Sequence, residues 1–250
     1  MTAVTLYARA SADFDAKLAE TIALLKKADA TLQPLTQASS LGAEDMVITH
    51  LLDLAEVNSS IFVLDTGMLH EQTLALVPRI EERYQRKVDI YGPDTDVASD
   101  FVQNFGEQAM YKSLALRKQC CGFRKLEPLK RALTGKKGWL TGLRREQSDA
   151  RAEVEFIELE GERAKVNPLA RWTAGDVWHF IGLHAIPYNP LHDEFFPSIG
   201  CAPCTRAVTL GEDIRSGRWW WEQASAKECG LHVAGEAAAS SIIPIKEVSA

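Results

Sequence analysis

The chain has 250 residues, 46% hydrophobic and 25% charged, with 28 basic and 34 acidic side chains giving a formal charge of −6. That length buries an α/β core without disulfide staples. The acidic balance argues against a broad nucleic-acid face, while leaving room for a local basic cluster that grips a small anion. No run approaches the roughly 18 apolar residues of a membrane span, and no basic stretch precedes an apolar one at the N-terminus. The expectation is a cytoplasmic protein bound neither to nucleic acid nor to a membrane.

In chain order, Phe14, Leu18, Ile22 and Leu25 recur at helical spacing and predict an amphipathic helix over about 13–32. A strand over Leu35–Ser39 runs into a turn at Ser40–Ala43, and a helix follows from Glu44 to about Glu56. Ser60–Asp65 reads as a buried strand ended by Thr66–Gly67, residues 70–85 as a helix, and Lys87–Tyr91 as a strand stopped by Gly92–Pro93. Trp139–Leu143 is a fourth strand. This alternation predicts an α/β fold with a mostly parallel sheet and helices on both faces. Farther on, Val154–Leu159 and Ala164–Val166 form a hairpin around Glu160–Gly161, and Thr173 and Asp176 a capping box that opens a helix to about His184. Residues 186–205 carry four prolines and read as an ordered loop, and residues 233–250 as a loose tail. No repeat or dividing linker is visible.

Five cysteines stand out: Cys120, Cys121, Cys201, Cys204 and Cys229. An odd count in a reducing compartment argues against a disulfide framework. Four of them make two tight pairs, which points to a four-thiolate site and a separate reactive thiol. The Cys201–Cys204 spacing lets two thiolates reach one metal centre. Adjacent Cys120 and Cys121 diverge, which suits the four corners of an iron–sulfur cube better than a tetrahedral zinc, although a four-cysteine zinc staple uses the same ligand type. Cys229, beside His232, has the setting of a low-pKa nucleophile.

The turn Ser39–Asp45 joins a strand to a helix, and its hydroxyls, glycine and helix-start amides make an anion cradle. Leu64–Gly67 ends the next strand, at the sheet edge where ligands bind. Lys118, Arg124 and Lys125 flank the first cysteine pair, Arg144 and Arg145 follow a strand, and Arg206, Arg215 and Arg218 follow the second pair. Arginine forks at such places match phosphate or sulfate oxygens. His50, His70, His179, His184 and His192 show no metal-binding spacing and read as structural, and Trp219–Trp221 as packing.

The ordered set SSLGAED, LDTG, KQCCGFRK, WLTGLRREQSDAR, YNPLHDEFFPSIGCAPCTR, EDIRSGRWWWE and ECGLH closely resembles the assimilatory adenylyl-sulfate reductases, the cluster-bearing branch of the phosphoadenylyl-sulfate reductase family. The likeness runs from about residue 35 to 232. It implies an adenine nucleotide α-hydrolase-like fold of the PP-loop type. It also implies one reductase domain over 1–232, in which 205–232 is a mobile segment carrying the catalytic Cys229. A [4Fe-4S] cluster on Cys120, Cys121, Cys201 and Cys204 is implied too, as an organiser of the site rather than an electron carrier. By the same match Ser39, Ser40, Gly42, Glu44, Leu64, Asp65, Thr66 and Gly67 hold the nucleotide. Lys125, Arg144, Arg215 and Arg218 meet the phosphosulfate, and His232 is also substrate-binding. Leu41 departs from the pattern, standing where many relatives carry a second serine. The implied activity is thioredoxin-dependent reduction of adenylyl sulfate to sulfite and AMP through an S-sulfocysteine. Reduction of the 3′-phosphorylated nucleotide and, more remotely, zinc-stabilised sulfur transfer are the alternatives. Self-association into a homo-oligomer is left open by the sequence.

Overall fold

The computed structural model describes residues 1–209 and 211–222. Its strands are β1 (Leu35–Ser39), β2 (Ser60–Leu64), β3 (Val88–Tyr91), β4 (Gly138–Leu140), β5 (Ile157–Glu160) and β6 (Arg163–Val166). They form one sheet in the order β3-β2-β1-β4-β6-β5, parallel throughout except at the β5–β6 hairpin. The helices are α1 (Ala3–Tyr7), α2 (Phe14–Thr31), α3 (Ala43–Leu54), α4 (Glu71–Leu74), α5 (Leu76–Tyr84), α6 (Thr95–Phe105), α7 (Ala109–Lys112), α8 (Leu114–Cys121), α9 (Glu127–Ala132) and α10 (Ala174–Leu183).

The period-2 pattern of β2 puts a helical layer on each face. Ile61 and Val63 join the main core, which is built with α2, α3, α5 and α10, while Phe62 and Trp139 pack on the other face with Ala132 and Leu133. Phe14, Trp172 and Phe180 meet largely edge to face, with ring centroids 5.4–6.4 Å apart. The mostly parallel sheet flanked by helices thus matches the expectation. The helix expected over 70–85 is split at Ala75 instead, because Pro78 has no N–H to offer the Leu74 carbonyl. The short helices α1 and α6–α9 were not expected. Gly106, at a φ of 86°, and Ser113, extended, break 95–121 into pieces too brief for a clear period.

Below α9 the chain takes one π-helical turn, Gly122–Leu126, closed by the Glu127 N–H donating to the Gly122 carbonyl. Pro128 cannot donate to the Arg124 carbonyl, so an α-helical ladder is interrupted at this point. The turn directly follows Cys120 and Cys121.

The N-terminal segment is tied down by buried Asp176, which accepts from the Ser11 N–H at 2.7 Å, the Thr173 N–H at 2.9 Å and Lys17 Nζ at 3.2 Å. Burial pushes this carboxyl up, but the amide hydrogen bonds prevail and bring it from 3.8 down to about 2. Its contribution to stability is therefore complete above about pH 4 and is lost as the pH falls toward 2. Asp176→Ala should lower the unfolding free energy by about 3 kcal/mol, since the buried Lys17 keeps only the half-exposed Asp13 as a charged partner, beside the Ser11 hydroxyl. Urea titration at pH 7 measures the loss, and the variant's stability should depend less steeply on pH between 4 and 2.

Candidate active site

Strand order reverses about β1, whose neighbours are β2 on one side and β4 on the other. Such a switch point leaves a crevice at the carboxyl ends of the strands. A cavity of about 260 Å³ occupies it. Its walls come from the end of β1 (Ser39, Ser40), the start of α3 (Gly42–Asp45), Leu64 of β2, the segment after β4 (Thr141–Arg144), residues 197–200, and residues 214, 215, 218 and 219.

The turn after β1 is shaped from within. Gln37, fully buried in β1, donates to the Asp45 carbonyl at 2.8 Å and accepts from Thr49 Oγ1 at 3.0 Å, fixing α3 against the strand. Asp45 accepts from the Ser40 N–H at 2.7 Å and from Ser40 Oγ at 2.5 Å. Burial drives the Asp45 carboxyl up to about 6 against the pull of these bonds. The α3 N-cap, Gly42, supplies no side-chain acceptor, so the first-turn amides and the helix dipole are available to an anion in the cavity. Leu41 takes a φ of 61° and buries its side chain in the core, away from the cavity. The departure at this position thus serves packing.

Arg144 lines the cavity but is engaged by carboxylates, Glu44 at 3.0 Å and Glu146 at 2.9 Å. For Glu44, burial raises the carboxyl while the Arg144 charge prevails and holds it below the usual range. Gln147 Nε2 also donates to Glu44, at 3.1 Å. Arg144 is therefore a brace between α3 and the segment after β4. Gly142 makes the close approach feasible, since a Cβ there would stand 2.6 Å from Asp45 Oδ1 and 2.8 Å from Glu44 Cβ.

Only Leu64 of the Leu64–Gly67 turn reaches the cavity lining; Asp65, Thr66 and Gly67 do not. Asp65 accepts from the Gly67 N–H at 2.9 Å, and Thr66 Oγ1 stands 3.2 Å from Cys201 Sγ. Arg124 donates to the Thr66 carbonyl at 2.6 Å, and the Ala202 N–H donates to the Met68 carbonyl at 2.7 Å. This turn shapes the second cysteine loop.

All four paired cysteines line one small second cavity, with Arg117, Arg124 and Lys125 in its wall. Among the described residues, no three His, Cys, Asp or Glu side chains are grouped to hold a metal ion. The donor set is nonetheless soft and comes from two chain segments, the α8 end and the 201–204 loop. Burial pushes the Cys120 thiol up, and burial with nearby Cys201 pushes Cys204 up to about 12. Thiolates here need compensating positive charge, which ligated iron and the adjoining Arg124 and Lys125 would both provide. Four sulfurs around a shared space in a cationic wall fit a tetrathiolate cluster.

Lys125 lines both cavities. Arg215 and Arg218 line the larger one, and Arg218 is buried with its Nε unpartnered among the described residues. Trp219 lies between two guanidinium groups, Arg117 at 4.7 Å and Arg218 at 4.6 Å from its ring centroid. Arg117 is in turn paired with Glu222 through Nε at 2.9 Å and Nη2 at 2.7 Å. A Cβ at Gly200 would run into the Arg218 guanidinium, so that glycine gives Arg218 its place. Cys229 and His232 lie outside the described residues. Sequence reasoning missed His192, Gln147, Arg151 and Trp219 as cavity residues. His50, by contrast, packs against Tyr84, Phe180 and His184 as expected.

Residues 34–207 match the family model described as the phosphoadenosine phosphosulfate reductase domain. An adenosine 5′-phosphosulfate reductase of Allochromatium vinosum is 49% identical over 216 residues, covering 86% of this chain and 84% of that protein. One of Burkholderia cepacia is 50% identical over 198 residues, covering 78% of this chain and 79% of its own. Among solved structures, the phosphoadenylyl-sulfate reductase of Candida auris in its phosphate complex superposes with a TM-score of 0.64 at 26% identity, over 78% of this chain and 97% of that one. A Candida glabrata FMN adenylyltransferase, 12% identical, shares the fold with a TM-score of 0.54 over 90% of this chain and 81% of that one.

Gly142→Ala tests the close approach. The added methyl should part the two loops and weaken AMP binding about tenfold, the overpacking cost falling on the cavity rim. Calorimetric titration with AMP measures the affinity, and a thermal melt should show the fold retained.

Proposed function

The chain belongs to the phosphoadenosine phosphosulfate reductase family, and we propose from this premise that it reduces adenylyl sulfate to sulfite and AMP, with thioredoxin as electron donor, in sulfate assimilation. The observation that carries the reading is the shared wall at Lys125, which joins an anion-binding crevice at the sheet's switch point to a four-cysteine cavity. The relatives at about half identity, matched over most of their length, are named for this substrate. We read residues 1–232 as one reductase domain acting in the cytoplasm, with 233–250 as a tail. No helix among the described residues is long and apolar enough to cross a membrane.

Ser39, Ser40, Gly42 and the first turn of α3 hold the nucleotide's anionic end, with Leu64 beside them at the end of the neighbouring strand, while Glu44 and Arg144 keep the cradle closed. Thr66 helps to hold the 201–204 loop in place, and Asp65 and Gly67 shape the turn that carries it. Lys125, Arg215 and Arg218 face the phosphosulfate and offset the charge that builds on the departing phosphate. Cys120, Cys121, Cys201 and Cys204 would hold a [4Fe-4S] cluster, which would supply a fixed polarising charge near Lys125 and join the end of α8 to the 201–204 loop.

Cys229 lies seven residues beyond Glu222, which is anchored to Arg117. Its thiolate attacks the sulfonate sulfur, the bond from sulfur to the bridging phosphate oxygen breaks, and AMP departs with that electron pair. Cys229 then carries an S-sulfo group. A thioredoxin thiolate attacks the Cys229 sulfur and expels sulfite, and the second thioredoxin thiol resolves the mixed disulfide. The two electrons that take sulfur to sulfite come from the dithiol, which ends as a disulfide. His232 stands close enough in sequence to favour the thiolate of Cys229.

With saturating reduced thioredoxin, kcat/KM should be higher for adenylyl sulfate than for its 3′-phosphorylated form; a reversed ratio refutes the substrate assignment. Cys229→Ser should bind AMP as the parent does and form no sulfite. Serine at any one of the four paired cysteines should remove iron and visible absorption together, whereas Cys229→Ser keeps both. Iron analysis and absorption of anaerobically purified protein decide this, and stoichiometric zinc with full activity would contradict it.

A further inference from the structure

His192 has a place in the substrate cleft that its sequence context does not announce. It sits on a short 3-10 helix, Pro190–Glu194, whose N-cap Asn189 accepts from the Leu191 N–H at 3.0 Å. Asn189 is itself buried and donates to Thr73 Oγ1 at 2.8 Å, and Thr73 lines the cleft as well. Trp178 meets the imidazole edge-on at 5.1 Å, with Tyr188 at 6.4 Å. The ring is thus clamped in one orientation while lining the cavity, and the residue is only 5% exposed.

Neither ring nitrogen has a hydrogen-bond partner among the described residues. The Phe196 main chain acts on the ring without reaching hydrogen-bond geometry. Burial keeps the imidazole below its ordinary pKa, against the opposing pull of Glu44 and Asp193, so the ring is neutral at pH 7. A neutral imidazole offers one donor and one acceptor. Polar groups buried without partners are costly, so a clamped ring with both nitrogens unmet signals a ligand that supplies them. A hydroxyl both donates and accepts. A phosphate oxygen only accepts, and in this wall it would also meet the negative field of the Glu44 carboxylate.

We propose that His192 is a specificity-determining residue that reads a ribose hydroxyl of the bound nucleotide, accepting that group as a hydroxyl and disfavouring a phosphate in its place. The assignment rests on the reading of this crevice as a nucleotide site. It adds a discriminating element to the anion cradle, on the wall that holds His192 and residues 197–200.

The test is a binding cycle on the holoprotein with AMP, 2′-deoxy-AMP and 3′-deoxy-AMP, for the parent chain, His192→Ala and His192→Asn. The parent should bind one of the deoxynucleotides about tenfold more weakly than AMP, which also identifies the hydroxyl. His192→Ala should bind AMP with a similar loss and then no longer distinguish AMP from that deoxynucleotide. His192→Asn, which keeps a donor and an acceptor, should recover part of the discrimination. Equal penalties in parent and variants would overturn the proposal. So would a parent that shows no penalty for either deoxynucleotide, an outcome that needs no variant to fold. If the parent chain does not bind AMP at all, it is the nucleotide reading of the crevice that fails. In the reductase assay, the His192→Ala loss should fall on KM with kcat little changed, and iron content should match the parent.

Discussion

The divergence of the chain on the two sides of β1 is the constraint on which the rest depends. Because β2 and β4 flank β1, the segments that follow β1 and β4 must leave the sheet in different directions, and the space between them cannot be filled by either. The α3 amides and the Glu44–Arg144 pair line this space because they stand at the start of those departing segments. The 201–204 loop is held beside it by Thr66 and Met68 just beyond β2. The sheet thus brings residues 39, 125, 144, 192 and 218 to one rim.

Positive charge is concentrated at that rim in a chain whose total is −6. The concentration is selective. Arg144 is neutralised by Glu44 and Glu146 and acts as a strut, whereas Arg218 is buried with no carboxylate partner among the described residues. Trp219 accounts for how two guanidinium groups stand so close together. Its ring faces receive Arg117 and Arg218, and the Arg117–Glu222 pair removes half of the positive charge from the stack. A guanidinium fixed in this way pays little reorganisation when an oxyanion arrives.

The sheet and the motif positions were legible in the sequence because both depend on local pattern. Hydrophobic runs bounded by Gly, Pro and Asp mark β1–β4, and paired cysteines are conspicuous in any chain. The parts that escaped depend on contacts between distant residues. His192 shows no ligand spacing, and its exposure to the crevice is created by Asn189 meeting Thr73 across 116 positions. The Leu64–Gly67 turn reads as one unit, yet its first residue lines the crevice while the rest turns to the cysteine loop. Arg144 lines the crevice, but its pairing with Glu44, a hundred positions away, has no sign in the local sequence. The short helices between 95 and 132 lie between breakers that leave no window long enough for a period.

The account centres on one covalent step, transfer of the sulfonate to Cys229. Intact-protein mass spectrometry after mixing the anaerobic holoprotein with adenylyl sulfate, without thioredoxin, tests it most directly. The mass of one SO3 group should be added per chain and map to the peptide containing Cys229. One equivalent of AMP should be released, and reduced thioredoxin should remove the adduct as sulfite. Sulfite produced with no adduct, or an adduct on Cys120, Cys121, Cys201 or Cys204, would contradict the account.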